Sequence, residues 1–369
     1  MISQPIIPTH SVASIDLFCR VIDNFGDAGV ALRLARRLAS LGQSVRLWMD
    51  QIPCLGQPED AQHFAILRWP DPFPAVTPAR RVIALFGARL PEPYLEAMAR
   101  QPVAPVWINL EYLTAEAWAT GCHGLGSPHP RLPLTEHFFF PGITPGTGGV
   151  VIEPESGRDW AHFDRAAFLA QRGVPEDGKR LLSLFSYDSA SLASLIDTCR
   201  EDRAPGWRIL TFATPALPRL SCAIDRPPGS APLAPGETIR LGSLELCVLP
   251  WLTQNDYDRL LWSCDFNIVR GEDSFVRAQL AGKPLLWQPY VQAEAAHLAK
   301  LDAFLDHYTN GLPETLAQTV RTLHHRFSGG EALSLPTAEQ SQALTAHALH
   351  WRETLLARGD LAEHLLKIE

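Results

Sequence analysis

Residues 256–281 read DYDRLLWSCDFNIVRGEDSFVRAQLA, and their order decides the fold. Asp256 to Cys264 suits a helix, DFNIV a strand, RGED a loop, and the stretch from Asp273 to Ala281 a second helix. A strand held between two helices belongs to a parallel sheet covered on both faces.

The same order stands near the start of the chain. Ile15, Leu17, Cys19 and Val21 alternate with Asp16, Phe18 and Arg20, which suits a strand. After the loop Asp23–Asp27, a helix is expected from about Ala28 to Leu41, because Val30, Leu34, Leu38 and Leu41 share one face. Gly42 is a natural stop. Val45–Trp48, Val82–Phe86 and Val106–Asn109 read as further short buried strands. Between about Pro141 and Gly157 the chain is rich in Gly and Pro with little periodicity, which marks an approximate domain boundary. A second alternation starts at Leu181, where LLSLFSY, WRILTFAT, ELCVLP, DFNIV and PLLWQP read as five strands. Ala216 to Glu237 carries many prolines and is expected to be a long surface loop; Ala293–Tyr308 and Ser341–Lys367 are expected to be helical. The class is therefore α/β, with two doubly wound domains.

The 369 residues suit two such domains, and 46% are hydrophobic, enough to bury two cores. A net charge of -8 argues against a nucleic-acid partner held by phosphate neutralisation. No stretch approaches the ~20 apolar residues of a membrane span, and the first residues lack the pattern of a secretory signal. Seven cysteines without a C-x-x-C pair suit buried thiols in a reducing cytoplasm.

Two loops could carry chemistry. In the first, Asp23 and Asp27 flank Asn24 and Gly26, directly after a strand and before a helix, where open α/β sheets bind ligands. Gly26 would allow an unusual backbone conformation or a close substrate approach. The bland alternatives are Asp27 as a helix N-cap and Asp23-Asn24 as turn chemistry. In the second loop, Ser274 or Asp273 can cap a helix whose start attracts anions, with Arg270 adding a guanidinium suited to phosphate and Glu272 beside it. The alternative there is a surface turn with Arg and Glu paired to solvent or to each other. Phe185 and Tyr187 end a strand and could stack on a base or simply pack in the core; the Gln254 amide could read a pyrimidine edge. His123, His129, His324 and His325 lack the spacing of a metal site, and none is expected. The dinucleotide fingerprint, G-x-S-x-G and the Walker A motif are all absent from the sequence.

Taken together, FCRVIDNFGD (18–27), INLEYL (108–113), FFFPG (138–142), DYDRLLWSCDFNIVRGEDSFVRAQLA (256–281) and the stretch Trp287–Gln292 resemble the protein-arginine rhamnosyltransferases of elongation factor P. The resemblance runs from about residue 15 to about residue 308. It implies a GT-B architecture, two Rossmann-like domains facing a cleft, and a dTDP-β-L-rhamnose donor held mainly by the second. The expected domains are 1–165 for the acceptor and 175–349 for the nucleotide sugar, with a C-terminal helix, 350–369, packing back on the first. The acceptor implied is one arginine of elongation factor P, modified with inversion and without a cofactor or metal. Asp23, Asp27 and Glu272 match the family's catalytic carboxylates. Phe185, Tyr187, Gln254, Arg270, Asp273, Ser274 and Tyr290 match its nucleotide-sugar pocket, and Asn24 and Gly26 are candidate sugar or loop contacts. Rival expectations keep the fold with another nucleotide sugar or acceptor, or make the chain a nucleotide-binding protein without catalysis.

Overall fold

The computed structural model describes residues 13–22, 26–52, 60–153, 159–202, 205–224, 231, 233–291 and 295–369. The chain forms two compact units, Met1–Glu153 with Leu355–Glu369, and Pro154–Thr354.

The first unit holds strands β1 (Ile15–Cys19), β2 (Val45–Met49), β3 (Ala65–Arg68), β4 (Arg81–Leu85), β5 (Val106–Leu110), β6 (Gly126–Pro128) and β7 (Thr135–Phe139). They lie in the order β3-β2-β1-β4-β5-β7-β6, parallel except for the β6–β7 pair. All of β1 is buried, since both faces of the sheet are covered. Ile15, Leu17 and Cys19 pack with Ala28, Ala31, Leu34 and Leu38 of the helix Asp27–Ser40. Phe18 points the other way, among Trp48, Tyr94 and Trp107. Leu361 and Leu365 join the helix side, so the C-terminal segment completes this core. Arg81 fastens it by donating to the carbonyls of Leu365, Leu366 and Ile368.

The second unit holds β8 (Arg180–Leu184), β9 (Trp207–Thr211), β10 (Thr238–Leu241), β11 (Leu244–Val248), β12 (Phe266–Arg270) and β13 (Leu285–Gln288), in the order β10-β11-β9-β8-β12-β13. Only the β10–β11 pair is antiparallel. Both sheets reverse their winding once, between β1 and β4 and between β8 and β12. In open α/β sheets ligands bind beyond the carboxyl ends of the strands at such a reversal. The chain is thus α/β, with two doubly wound units.

Some expectations fail locally. Ala216–Glu237 is not one loop: Leu217–Ala223 is helical, with Leu217, Leu220, Ile224 and Leu233 buried. Pro218 sits in the first turn of that helix, where its missing N–H costs nothing. The single C-terminal helix is two, Ala338–Ala357 and Leu361–Leu366. Gly359 breaks it at φ +90°, and Asp360 caps the second piece by accepting from Ala362 N–H at 3.3 Å.

Candidate active site

In the first unit the candidate site lies at the carboxyl end of β1. Asp23 and Asn24 are outside the described residues. Gly26 precedes the helix with φ −75° and ψ −70°, a conformation open to any residue, so the argument from glycine's special backbone freedom falls. Asp27 is not the N-cap either. It is the first residue of the helix, and its carboxylate accepts from donors outside the helix. Ile22 N–H donates to Asp27 Oδ2 at 2.8 Å and Tyr112 hydroxyl to Oδ1 at 3.3 Å. Only 3% of Asp27 is exposed, so these donors offset the cost of taking a carboxylate out of water. Burial first, then the negative charges of Asp27 and Asp50, hold the Cys19 thiol well above its ordinary value.

Tyr112 is fixed from behind. Its ring stacks on Phe86 at 4.4 Å and 14°, and Phe86 leaves β4 with φ +58°, a left-handed conformation uncommon for a bulky residue. Phe86 follows β4 and Tyr112 follows β5, so both stand on the β4 side of the reversal of the first sheet. Reading β4 and β5 only as apolar runs left both unassigned. The INLEYL motif was the available signal for Tyr112.

In the second unit the predicted residues do come together. Arg270 ends β12, Phe185 and Tyr187 follow β8, Tyr290 follows β13, and Glu272, Asp273 and Ser274 open the helix Asp273–Leu280. All lie beyond the carboxyl ends of parallel strands, around the β8/β12 reversal. The Arg270 guanidinium lies 4.7 Å from the ring centre of Phe185 and 4.4 Å from that of Tyr187. Tyr290, 61% exposed, meets Tyr187 edge-on at 5.5 Å. Gln288 accepts from Tyr187 N–H at 2.8 Å and so sets that ring's loop.

Ser274 does not cap its helix. Its hydroxyl donates to the carbonyl of Arg270, and Glu272 occupies the N-cap position with no side-chain cap bond. Gln254 Nε2 donates to Asp273 Oδ2 at 3.4 Å. Gly271, at φ +62°, makes the sharp turn between strand and helix, and Trp287 Nε1 donates to its carbonyl at 2.8 Å. Phe185 faces Arg270 and belongs to a buried cluster with Phe212 and Leu260, so it packs in the core. Trp251 lies flat on Phe212 at 5.6 Å and remains 47% exposed.

Arg270 is 8% exposed, and among the described residues no carboxylate pairs with it. Cation–π contacts offset part of a buried charge, ~0.5–2 kcal/mol each, but do not replace an anion. A guanidinium beside the start of a helix has the chemistry to receive one.

Residues 15–368 match the family described as elongation factor P (EF-P) rhamnosyltransferase EarP. The chain belongs to the EarP family. The protein-arginine rhamnosyltransferase of Pseudomonas putida is 42% identical over 375 residues, spanning 96% of this chain and 98% of that one. That of Pseudomonas aeruginosa is 38% identical over 376 residues, with the same coverage. A solved structure described as the structural basis for EarP-mediated arginine glycosylation of translation elongation factor EF-P has a TM-score of 0.68 at 31% identity. It covers 96% of this chain and 97% of that one. As an EarP-family member the chain is a glycosyltransferase, a rhamnosyltransferase acting on protein arginine.

Proposed function

We propose that this EarP-family enzyme moves L-rhamnose from dTDP-β-L-rhamnose to a guanidino nitrogen of one arginine of elongation factor P, with inversion at the sugar carbon. The observation that carries the reading is Arg270, a buried guanidinium between two aromatic rings at a sheet reversal, without a carboxylate partner among the described residues. A nucleoside diphosphate supplies the missing anion.

The chemical difficulty lies in the nucleophile. A guanidinium has a pKa above ~12 and a delocalised lone pair, so it attacks poorly until a carboxylate localises its charge and takes a proton. Asp27 is assigned that role. Its hydrogen bonds from Ile22 and Tyr112 fix the carboxylate before substrate arrives. As the C–N bond forms, the sugar C–O bond to the diphosphate breaks, and the guanidinium proton passes to Asp27. Glu272 is assigned to the acceptor guanidinium or the developing positive charge on the sugar, and Asp23 to holding the acceptor arginine. Arg270 and the start of the Asp273–Leu280 helix receive the charge of the leaving dTDP. Phe185, Tyr187, Gln254, Asp273, Ser274 and Tyr290 complete the nucleotide-sugar pocket, with Asn24 and Gly26 at the sugar.

The assignment uses no metal. Among the described residues no group of three or more His, Cys, Asp or Glu side chains could hold one. Nor is any helix there long and apolar enough to cross a membrane; the cytoplasm is assigned as the place where the enzyme meets the translation factor.

Intact-mass analysis of elongation factor P after incubation with the enzyme and dTDP-β-L-rhamnose tests the reading. The expected result is a gain of one deoxyhexose, retained in EDTA and absent when the target arginine is lysine. No gain while dTDP still binds in calorimetry would sink the acceptor assignment; no dTDP binding would sink the donor assignment too.

A further inference from the structure

The loop between β12 and the helix Asp273–Leu280 joins a group that the sheet holds to one that it does not. Arg270 ends β12 and still pairs in register with Gln288 of β13, so the ladder fixes its backbone. Glu272 lies two residues further on, beyond the strand. Between them Gly271 sits at φ +62°, and glycine enters that region about as readily as its mirror image. A turn built on glycine is therefore not held by its own sterics.

One side chain of β13 holds it from outside. Trp287 donates its indole N–H to the Gly271 carbonyl at 2.8 Å. That carbonyl belongs to the planar peptide unit whose N–H is that of Glu272, so the bond fixes the plane from which Glu272 departs. The same indole stacks on Phe275 at 3.9 Å and 8°, in the first turn of the helix that follows. Phe304 lies edge-on to both rings, 4.7 Å from Phe275 and 5.9 Å from Trp287. Trp287, 8% exposed, thus meets the chain on either side of Glu272.

We propose that Trp287 is a positioning residue for the transfer, whose indole N–H sets the direction of Glu272 through the Gly271 carbonyl. The inference rests on the role proposed for Glu272, toward the acceptor guanidinium or the charge developing on the sugar. A slack turn would move Glu272 and leave Arg270 in its ladder, so turnover and donor binding should part. Misplacing a reacting group by ~1 Å can cost on the order of 10²-fold in rate.

Steady-state kinetics on elongation factor P, with calorimetry of dTDP, test it. Trp287→Phe keeps a ring against Phe275 and deletes the N–H. The kcat should fall about tenfold, while KM for dTDP-β-L-rhamnose and the Kd of dTDP stay within about twofold. The smaller ring will also lower the melting temperature, so two controls separate packing from the bond. Phe304→Leu loosens the same aromatic group and keeps the N–H; it should lower the melting temperature and leave kcat within about twofold. Replacing the Trp287 indole by benzothiophene keeps the bicyclic shape and puts sulfur in place of the N–H. That change should reproduce the loss in kcat with a melting temperature close to that of the wild type. In a Glu272→Gln background, Trp287→Phe should cost nothing further. An unchanged kcat with benzothiophene, an equal loss from Phe304→Leu, or the full tenfold loss in the Glu272→Gln background overturns the positioning role, while an active wild type keeps the proposed reaction. A wild type inactive on elongation factor P overturns that reaction and the inference with it.

Discussion

Asp27 and Arg270 are both buried ionisable groups at the turning point of a doubly wound sheet, yet the protein treats them in opposite ways. Asp27 is met from within its own unit by a backbone N–H and a tyrosine hydroxyl. Arg270 is wrapped in aromatic faces and, among the described residues, has no carboxylate partner. A group satisfied by fixed donors is held in place for chemistry, whereas a desolvated charge without a counter-ion gains its partner when a ligand binds. The first arrangement suits a base and the second an anion receptor. Mutations at the two places should therefore separate turnover from binding.

The largest effect is expected at Asp27. Asp27→Asn keeps the shape and removes the proton acceptor, so kcat should fall on the order of 10²-fold or more while calorimetric affinity for dTDP is retained. Near-normal turnover would end the assignment of Asp27 as base. It would also end the contrast, since both groups would then be binding devices.

Arg270→Met should do the reverse. Losing a charge-assisted contact to the diphosphate should weaken dTDP binding by about tenfold or more. Removing a buried charge that has no carboxylate partner should leave the melting temperature of the ligand-free protein unchanged or raise it. A large drop in that temperature, with dTDP affinity intact, would show instead that Arg270 is a structural residue held by its aromatic neighbours.

The two halves also differed in how far the sequence revealed them. The second was readable because its signal is local. Helix, strand, loop and helix follow one another within residues 256–281, and the loop after a central parallel strand must emerge at the ligand edge. Arg270, Glu272, Asp273 and Ser274 follow from that order alone, although the capping role considered for Ser274 does not hold. In the first half the decisive contact joins Tyr112 to Asp27 across 85 positions. No periodicity reports such a pairing, because the strand order that sets it is a tertiary outcome. For the same reason Asp27 read equally well as an N-cap. Its bonds from Ile22 and Tyr112, rather than any pattern in the sequence, separate a cap from a carboxylate held by residues outside the helix. The Leu217–Ala223 helix was hidden differently, by prolines that disfavour a helix interior but not a first turn.

The smallest of these effects, at Tyr112, sharpens the comparison most. If Asp27 works because it is pre-positioned, removing one of its donors should damage turnover without touching the Arg270 end of the second unit. Tyr112→Phe keeps the ring and its stacking on Phe86 and deletes only the hydroxyl. A hydrogen bond to a charged group is worth ~1.5–3 kcal/mol, but this one is long at 3.3 Å and Ile22 N–H remains at 2.8 Å. A loss near ~1 kcal/mol follows, or about fivefold in kcat, with dTDP affinity unchanged in calorimetry. Pairing the change with Asp27→Asn in a double-mutant cycle gives a sharper reading. The tyrosine should have no effect once the base is gone, because an orienting hydroxyl has nothing left to orient. If Tyr112→Phe costs the same fivefold in either background, the hydroxyl acts on something other than Asp27. The placement of Asp27 would then owe nothing to that hydroxyl.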